Sequence, residues 1–259
     1  MTHILTMAMQ KGGVGKTTTA VSVSVNLAAA GARVLLIDID PQANATQALG
    51  IDLEAIQYSI YEVLLNPGHG IAFATLQTET GVDLIPSTLD LAGAENELAG
   101  KVGRELLLYD ALDTSSVEYD YILVDPPPTL GIFTMNSLAA ADRVIVPLQV
   151  HVYAYKAMPK LEETIAMVRR LNRNLAIGGI VCTMADRRTS LSQVIEQQIR
   201  EHYGHLVFNT VIPLNTKLAE APASGQPISV YDPMSIGAQA YKSLAQEIME
   251  RYPYDAKEN

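Results

Sequence analysis

The sequence contains a single cysteine, Cys182, among its 259 residues. Disulfide frameworks need pairs of cysteines, so the chain is not a disulfide-stapled module, and one cysteine suits a reducing compartment such as the cytoplasm. Cys182 lies in an apolar run, and we interpret it as a small buried side chain rather than a catalytic thiol. An iron–sulfur cluster shared between two subunits would need two thiolates from each, and the cysteine count disfavours such a site.

Long apolar stretches are also missing. No uninterrupted apolar run has the length of about 20 residues that a bilayer-spanning helix needs. The N-terminus shows no charged segment followed by an apolar run and a small-residue cleavage site, so we expect no targeting leader. The composition is 48% hydrophobic, which is ample for one large core.

Positive charge is scarce, with 18 Lys and Arg against 28 Asp and Glu and a net charge of −10. Such a balance ordinarily argues against a nucleic-acid partner. The charge is uneven, however, because residues 1–150 hold 6 basic and 17 acidic residues, whereas residues 151–259 hold 12 and 11. The C-terminal part could therefore present a local basic face, although a solvated surface without a function is the alternative.

Short apolar runs alternate with helical patterns along most of the chain, which predicts an α/β fold with a doubly wound, mostly parallel sheet covered by helices. The predicted strands are 4–9, 34–39, 82–86, 121–124, 143–148, 177–183 and 207–212. The predicted helices are 17–30, 91–98, 156–172, 191–203 and 236–251. We expect a single domain over residues 1–259, with a polar, frayed tail at 252–259 after the last helix.

The segment KGGVGKTT at 11–18 stands between the first predicted strand and the first predicted helix. Glycines in such a turn let backbone N–H groups converge on a phosphate, and the helix N-terminus adds positive potential. The pattern predicts a nucleotide-binding loop in which Lys16 reaches the β- and γ-phosphates and the Thr17 hydroxyl binds Mg²⁺. Lys11 supplies a second positive charge at the loop entrance. The expected loop contacts are Lys11, Gly12, Gly13, Val14, Gly15, Lys16, Thr17 and Thr18.

Carboxylates follow two further predicted strands, in DIDPQANAT at 38–46 and DPPPTLG at 125–131. Ligand chemistry in a doubly wound sheet gathers at the carboxyl ends of the strands. Asp38 and Asp40 are candidates for orienting a water molecule, binding Mg²⁺, or both, although Asp40 followed by proline also fits a simple strand-ending turn. Asp125 has the position of a Mg²⁺ ligand in P-loop nucleotidases, and an ordinary turn is its alternative.

These three motifs together resemble those of the deviant Walker-box P-loop ATPases of the ParA/MinD family. The segments IPSTLDLAGAENEL at 85–98 and VIPLNTKLAEAPASGQPISVYDPMSIGAQAY at 211–241 resemble the ParA branch in particular, in its short type without a helix-turn-helix domain. The similarity covers almost the whole chain. It extends to members of the family that position carboxysomes, such as McdA.

The resemblance implies a role for each matching residue. Lys11 would reach across a two-fold interface to the partner's nucleotide, and Lys16 and Thr17 would bind phosphate and Mg²⁺. Asp38 would position the attacking water near the metal, and Asp125 would be the Walker B aspartate. Catalytic roles therefore fall on Lys11, Lys16 and Asp38, and metal roles on Thr17, Asp38 and Asp125. The nucleotide contacts would be completed by Gln42 and, near the adenine, by Met184, Pro213 and Asn215.

The resemblance also implies a function, a slow ATP hydrolase that forms a homodimer around two Mg·ATP. In that state it would bind nucleoid DNA non-specifically and segregate or position a plasmid, a chromosome or a protein organelle. A ParB-like or McdB-like adaptor on the cargo would stimulate hydrolysis. We expect a cytoplasmic, nucleoid-associated protein that does not bind membrane. The alternatives are a MinD-like membrane-patterning ATPase and an ATP-dependent scaffold without DNA binding.

Basic residues of the C-terminal part are the candidates for contacting DNA phosphates. They are Arg187, Arg188, Arg200, Lys217 and Lys242, each of which could equally be a solvated surface charge. Relatives often read IPRN-x-R where this chain has Leu214 and Lys217, so we expect weak and strongly salt-sensitive DNA affinity.

Overall fold

One sheet of eight strands forms the centre of the protein in a computed structural model, which describes residues 2–254 apart from the side chains of residues 154–157. In chain order the strands are β1 (His3–Met7), β2 (Val34–Asp38), β3 (Leu76–Gln77), β4 (Asp83–Ile85), β5 (Tyr121–Asp125), β6 (Arg143–Gln149), β7 (Ala176–Ala185) and β8 (Val207–Pro213). Their order across the sheet is β3-β4-β2-β5-β1-β6-β7-β8. All neighbouring strands are parallel except the pair β3–β4.

Eleven α-helices connect these strands within the described residues. They are α1 (Lys16–Ala29), α2 (Asn44–Ala48), α3 (Ile60–Leu65), α4 (Leu91–Leu98), α5 (Leu107–Asp113), α6 (Ile132–Ala140), α7 (Ala154–Val168), α8 (Ser190–Tyr203), α9 (Lys217–Ala223), α10 (Ile228–Tyr231) and α11 (Ile236–Arg251). Single 3₁₀ turns occur at Leu53–Ala55, Pro67–His69, Ala72–Ala74 and Gly204–Leu206.

Helices cover both faces of the sheet, as a parallel sheet with buried strands requires. Every residue of β2 and β5 is buried. On one face α1 and α11 pack together through Leu27, Tyr241 and Leu244, which belong to one apolar core. A second core includes Leu161 of α7, and a third lies beneath α3 to α6. The doubly wound α/β fold predicted from the sequence is therefore confirmed.

The strand order brings the carboxyl ends of β1, β2 and β5 side by side. β5 lies between β1 and β2, and residue Asp38 pairs with Asp125 in the parallel register. The loop that follows β1 therefore meets the ends of the two strands that carry the predicted carboxylates. In open α/β sheets this edge is where ligands bind.

The seven predicted strands are all present, with bounds that agree within two residues. The prediction of a helix at 156–172 is wrong at its end, because α7 stops at Val168. Asn172 is outside that helix, and its side chain donates hydrogen bonds to the carbonyls of Ala139 and Ala141 at 3.1 and 2.6 Å. β3 and six short helices, α2, α3, α5, α6, α9 and α10, were not predicted.

The expectation of a frayed tail is wrong for residues 252–254. The Tyr252 hydroxyl donates to the Gly178 carbonyl at 2.8 Å, and its own carbonyl accepts a bond from the Tyr121 hydroxyl at 2.5 Å. The Pro253 carbonyl bonds the ring of His3 at 2.9 Å. These contacts hold the end of α11 against the sheet, and residues 255–259 lie outside the described part of the chain. Between residues 2 and 254, no helix combines the length and the apolar character needed to cross a membrane.

Candidate nucleotide-binding site

The loop 10–15 turns the chain from β1 directly into α1. Gly15 is the residue before the helix and has a φ of +91°, a left-handed conformation that glycine adopts without strain. Lys16 and Thr17 are then the first two residues of α1. A Cβ placed on Gly12 or Gly13 would meet no other atom within 4 Å, so open space lies above this part of the loop. The backbone N–H groups at a helix start are thus available to an anion.

Two hydrogen bonds from neighbouring elements hold this loop in place. The Thr183 hydroxyl at the end of β7 donates to the Val14 carbonyl at 2.9 Å. The Gln10 amide donates to the Thr164 hydroxyl on α7 at 3.1 Å. Gln10 stands where the usual pattern has its first glycine, and here its side chain ties the loop to a helix. The loop is therefore fixed at both ends before any ligand arrives.

Lys16 is buried, with 7% of its surface exposed. Burial lowers the pKa of its ammonium group, and the nearby Asp125 and Asp40 carboxylates oppose that shift. A buried lysine that belongs to a phosphate loop is poised for a dianionic partner, because bound phosphate would compensate its desolvation.

Asp38 and Asp125 are fully buried neighbours on β2 and β5. Burial and then the negative charge of Asp38 raise the pKa of Asp125 to about 8, against the lowering effect of Thr17 and Lys16. Neither carboxylate oxygen of Asp125 has a well-formed hydrogen bond to another described residue. A buried carboxylate without such a partner is costly, and a cation is the partner that such a group favours.

Asp38 differs from Asp125 because its carboxylate is well bonded. It accepts hydrogen bonds from the backbone of Asp40 and from both the backbone and the hydroxyl of Thr46. The Asp38 carboxylate therefore has hydrogen-bond partners within the protein before any ligand binds. Burial raises the pKa of Asp38 to about 6, and the bonds from Thr46 counteract that rise.

Lys11 lies at the loop entrance and is half-buried. Its ammonium group donates to the Gln149 side-chain oxygen at 2.8 Å, and Gln149 is the last residue of β6. The Lys11 side chain thus rests on its own subunit through a neutral acceptor and makes no ion pair with another described residue.

A cavity of about 630 Å³ extends from the loop towards the C-terminal segments. Its lining includes Gly13, Val14, Gly15, Lys16, Thr17 and Thr18 from the loop, and Met184, Pro213 and Asn215 from the ends of β7 and β8. The volume is in the range of small-molecule and cofactor sites. Met184 has a φ of +54°, a strained conformation for a non-glycine residue of the kind that clusters at binding sites. The structure therefore brings the predicted adenine contacts onto one cavity with the phosphate loop.

Other predicted site residues lie at the margin of this cavity. Gln42 is exposed and does not line it; its backbone N–H donates to Asp40 at 2.9 Å. Lys11 and Gly12 are likewise outside the lining, as are Asp38 and Asp125 beneath the loop. Three further residues, which the sequence analysis did not identify, form hydrogen bonds to predicted site residues. They are Thr46, Gln149 and Thr183. Thr46 stands inside a motif that was recognised, whereas nothing near Gln149 or Thr183 in the sequence signals a role.

The five basic residues proposed for DNA differ in what they contact. Arg188 makes two 2.8 Å bonds to Asp186, which lower the pKa of that carboxyl to about 2. Arg200 bonds Glu196 and the carbonyls of Phe208 and Asn209, and Lys217 bonds Glu220 at 2.7 Å. Arg187 and Lys242 are exposed and form no ion pair with another described residue.

The donor set at the loop fits a Mg²⁺ ion. Mg²⁺ prefers oxygen ligands and is commonly held through one or two protein groups together with substrate phosphates and water. The Thr17 hydroxyl lies beside the buried Asp125 carboxylate, whose oxygens have no well-formed hydrogen bond to a described residue. These two residues would hold the ion, with the phosphates of a nucleotide supplying further oxygens.

Comparisons with known proteins agree with this geometry. A family model described as an AAA domain matches residues 2–177. The sporulation initiation inhibitor protein Soj of Bacillus subtilis is 43% identical over 249 residues, covering 96% of this chain and 98% of Soj. The chromosome partitioning protein ParA of Caulobacter vibrioides is 43% identical over 252 residues, covering 96% of this chain and 94% of that protein.

A solved structure adds a ligand-bound neighbour. The crystal structure of cobyrinic acid a,c-diamide synthase from Mycobacterium smegmatis with bound ATP analog and magnesium has a TM-score of 0.83 and 34% sequence identity, and it covers 99% of this chain and 100% of its own. The loop geometry, the paired carboxylates and these near full-length similarities lead to one conclusion. This chain belongs to the ParA/Soj family of P-loop ATPases.

Proposed function

We propose that this protein is a ParA-type ATPase that binds Mg·ATP, pairs with a second copy around two nucleotides and binds DNA non-specifically in that state. An adaptor on a cargo would stimulate hydrolysis and so release the dimer from DNA. The observation that carries the proposal is the buried Asp125 carboxylate beside Thr17 and Lys16, without a well-formed hydrogen bond, under a preformed phosphate loop. The cell compartment we propose is the cytoplasm, at the nucleoid.

Each residue at the loop has a part in phosphoryl transfer to water. Lys16 and the loop N–H groups bind the phosphates and stabilise negative charge on the transferred group. Asp38 orients the attacking water from the end of β2. Mg²⁺, when bound, neutralises charge on the phosphate oxygens. The sequence offers no strong candidate for an arginine finger in the same subunit, so we expect slow intrinsic turnover that an adaptor accelerates.

Dimerisation depends on Lys11 in this proposal. The Lys11 ammonium group is held by a neutral amide oxygen at the loop entrance, a contact that a phosphate of a partner's nucleotide would outcompete electrostatically. Two nucleotides at one interface bring many negative charges together, and a lysine from each subunit offsets them. Loss of the γ-phosphate after hydrolysis removes part of that charge and weakens the dimer.

The contacts of the basic residues refine the DNA proposal. Arg187 and Lys242 are the better candidates, since neither is ion-paired within the described residues. Arg188, Arg200 and Lys217 would have to leave existing partners to reach a phosphate. A small number of free cations predicts weak binding at physiological salt.

A membrane-patterning role is less well supported than DNA binding. α11 would be the element to lie on a bilayer, yet its apolar residues Tyr241, Leu244, Ala245 and Ile248 are buried against the sheet and α1. Ile236 is the one large apolar residue that α11 leaves well exposed within the described residues, too little for an apolar face that binds lipid. A scaffold without DNA binding is the other alternative, and the net charge of −10 is the observation that favours it.

Binding to non-specific duplex DNA across a salt series tests the proposal. We expect binding with Mg·ATP, little with ADP or without nucleotide, and a logarithmic affinity that falls linearly with the logarithm of salt concentration. Replacement of Arg187 or Lys242 by Ala should reduce the salt slope by about 1 each. Arg104→Ala, on the acidic N-terminal part, is the matched control.

The other outcomes decide between the alternatives. Binding to anionic liposomes instead of DNA would support the membrane-patterning alternative. ATP-dependent dimers that bind neither DNA nor liposomes would support the scaffold. Equal DNA binding with ATP and ADP would contradict a nucleotide switch.

A further inference from the structure

Thr46 links the ends of two strands through its hydroxyl group. The hydroxyl donates to Asp38 Oδ2 at 2.8 Å and accepts a hydrogen bond from the Ser87 backbone N–H at 3.0 Å. The Thr46 backbone N–H donates to the same Asp38 oxygen at 2.8 Å. Asp38 ends β2, and Ser87 follows β4, which is the next strand in the sheet. Asp38, Thr46 and Ser87 are all fully buried, so water does not compete for these bonds.

The two oxygens of Asp38 are bonded unequally. A carboxylate oxygen can accept about two hydrogen bonds, and Oδ2 already accepts two from Thr46. Oδ1 accepts one, from the Asp40 backbone N–H at 3.2 Å. One acceptor position of Asp38 is therefore left open, and it belongs to Oδ1. The orientation of the carboxylate is set by three donors, two of which Thr46 provides.

Thr46 itself cannot rotate away without loss. Its hydroxyl proton is donated to Asp38, and the same oxygen accepts a hydrogen bond from the Ser87 N–H. Turning the side chain to another rotamer would leave the buried Ser87 N–H and one lone pair of Asp38 without partners, and each such loss is costly. The Ser87 N–H therefore determines which way the Thr46 hydroxyl points.

We propose that Thr46 is a positioning residue for ATP hydrolysis, which holds Asp38 through Oδ2 so that only Oδ1 keeps an acceptor position for the attacking water. The inference rests on the proposed function, in which Asp38 orients that water. Thr46 acts only through Asp38 and does not touch the nucleotide cavity, whose lining does not include it. Its effect should therefore fall on the rate of the chemical step and not on nucleotide affinity.

Thr46→Val keeps the size and branching of the side chain and removes its hydroxyl. We expect kcat to fall by about 10- to 100-fold, the usual cost of losing a residue that orients a catalytic group, with KM and the Kd for ATP unchanged. Thr46→Ser restores a hydroxyl and should recover most of the lost rate. If Thr46 had a merely structural role, Thr46→Val would instead lower ATP affinity and kcat together. Thr46→Ser, which lacks the methyl group of threonine, would then not restore them.

If Thr46→Val does not fold, Thr46→Cys is the variant whose kcat tests the proposal. Its thiol is a weak donor in the same place, so we expect its kcat to lie between those of Thr46→Val and the native protein. Thermal unfolding and ATP binding of each variant establish that it is folded.

Asp38→Ala in parallel separates this inference from the function on which it rests. Full turnover by Asp38→Ala would contradict the role of Asp38, and the inference would fall with it. An inactive Asp38→Ala together with a fully active Thr46→Val would overturn the inference alone. Failure of Thr46→Ser to recover the rate would also overturn it.

Discussion

At the scale of single residues, the site is defined by differences in what each charged group contacts. Lys16 and Asp125 are buried where a bound nucleotide and a cation would balance their charges, whereas the Asp38 carboxylate already accepts hydrogen bonds from Asp40 and Thr46. Lys11 rests on a neutral amide. The groups that lack strong partners in the free subunit are thus the ones proposed to bind ligand, and the group proposed to orient water is held firmly.

Asp125 should make the stability of the nucleotide-free protein depend on pH. Its pKa is raised to about 8, against about 4 in an unfolded chain, so the folded state keeps a proton that the unfolded state releases between these values. This contribution is fully present below about pH 4 and is lost as the pH rises through about 8. The side-chain amide in Asp125→Asn cannot ionise. We therefore expect the Tm of this variant at pH 9 to exceed that of the native protein by about 2–4 °C or more.

Thermal unfolding of both proteins between pH 6 and pH 9, without nucleotide or Mg²⁺, measures this difference. It should shrink towards pH 6. The exposed Asp113 provides the control, because Asp113→Asn should leave the pH dependence of the Tm unaltered. Parallel curves for the native protein and Asp125→Asn would show that Asp125 is ionised throughout.

The places of site residues could be predicted from the sequence where a motif joins a residue type to a strand end or a helix start. Lys16, Thr17 and Asp125 are of that kind, and the structure brings them together. The role proposed for Thr46 could not be predicted, because it depends on the Ser87 N–H 41 positions away. Lys11 and Gln149 are 138 positions apart, and no sequence pattern around either residue predicts their contact.

At the scale of elements, α11 packs against the end of the phosphate loop and the start of α1. The Tyr241 hydroxyl on α11 lies 3.1 Å from the Thr19 hydroxyl on α1, and both are buried. It also lies 3.8 Å from where a Cβ on Gly15 would be. The C-terminal helix therefore contacts the first turns of α1, the helix that carries Lys16 and Thr17.

Tyr241→Phe should lower the free energy of unfolding by about 1 kcal/mol, because the Thr19 hydroxyl loses a buried hydrogen-bond partner. Chemical denaturation measures the change, with Tyr109→Phe at an exposed tyrosine as the control. Unchanged stability would mean that the two hydroxyl groups are not bonded in solution.

Long elements were predictable because their apolar residues recur with a clear period or form a continuous buried run. The strands of the parallel sheet are such runs, and their bounds were predicted within two residues. α2 and α10 have only five and four residues, too few to show a helical period. α7 ends before Asn172, whose side chain bonds the carbonyl of Ala141 31 positions away, and no local sequence pattern indicates that contact.

At the scale of the whole molecule, the strand order places the loop after β1 beside the ends of β2 and β5. The sequence predicted a doubly wound sheet, but the order of its strands followed from packing between distant segments. One edge of the sheet thereby holds the phosphate loop, the buried carboxylates and Lys11. We propose that this edge becomes a dimer interface when Mg·ATP is bound.

The oligomeric state of two variants in Mg·ATP tests whether this edge forms the dimer interface. Asp38→Ala should bind ATP, hydrolyse it poorly and accumulate as a dimer in sedimentation or light-scattering measurements. The double variant Asp38→Ala, Lys11→Ala should bind ATP and stay monomeric, since the cation that offsets the partner's phosphates is gone. A dimer in both variants would contradict the role of Lys11, and a monomer in both would contradict the ATP-bound dimer itself.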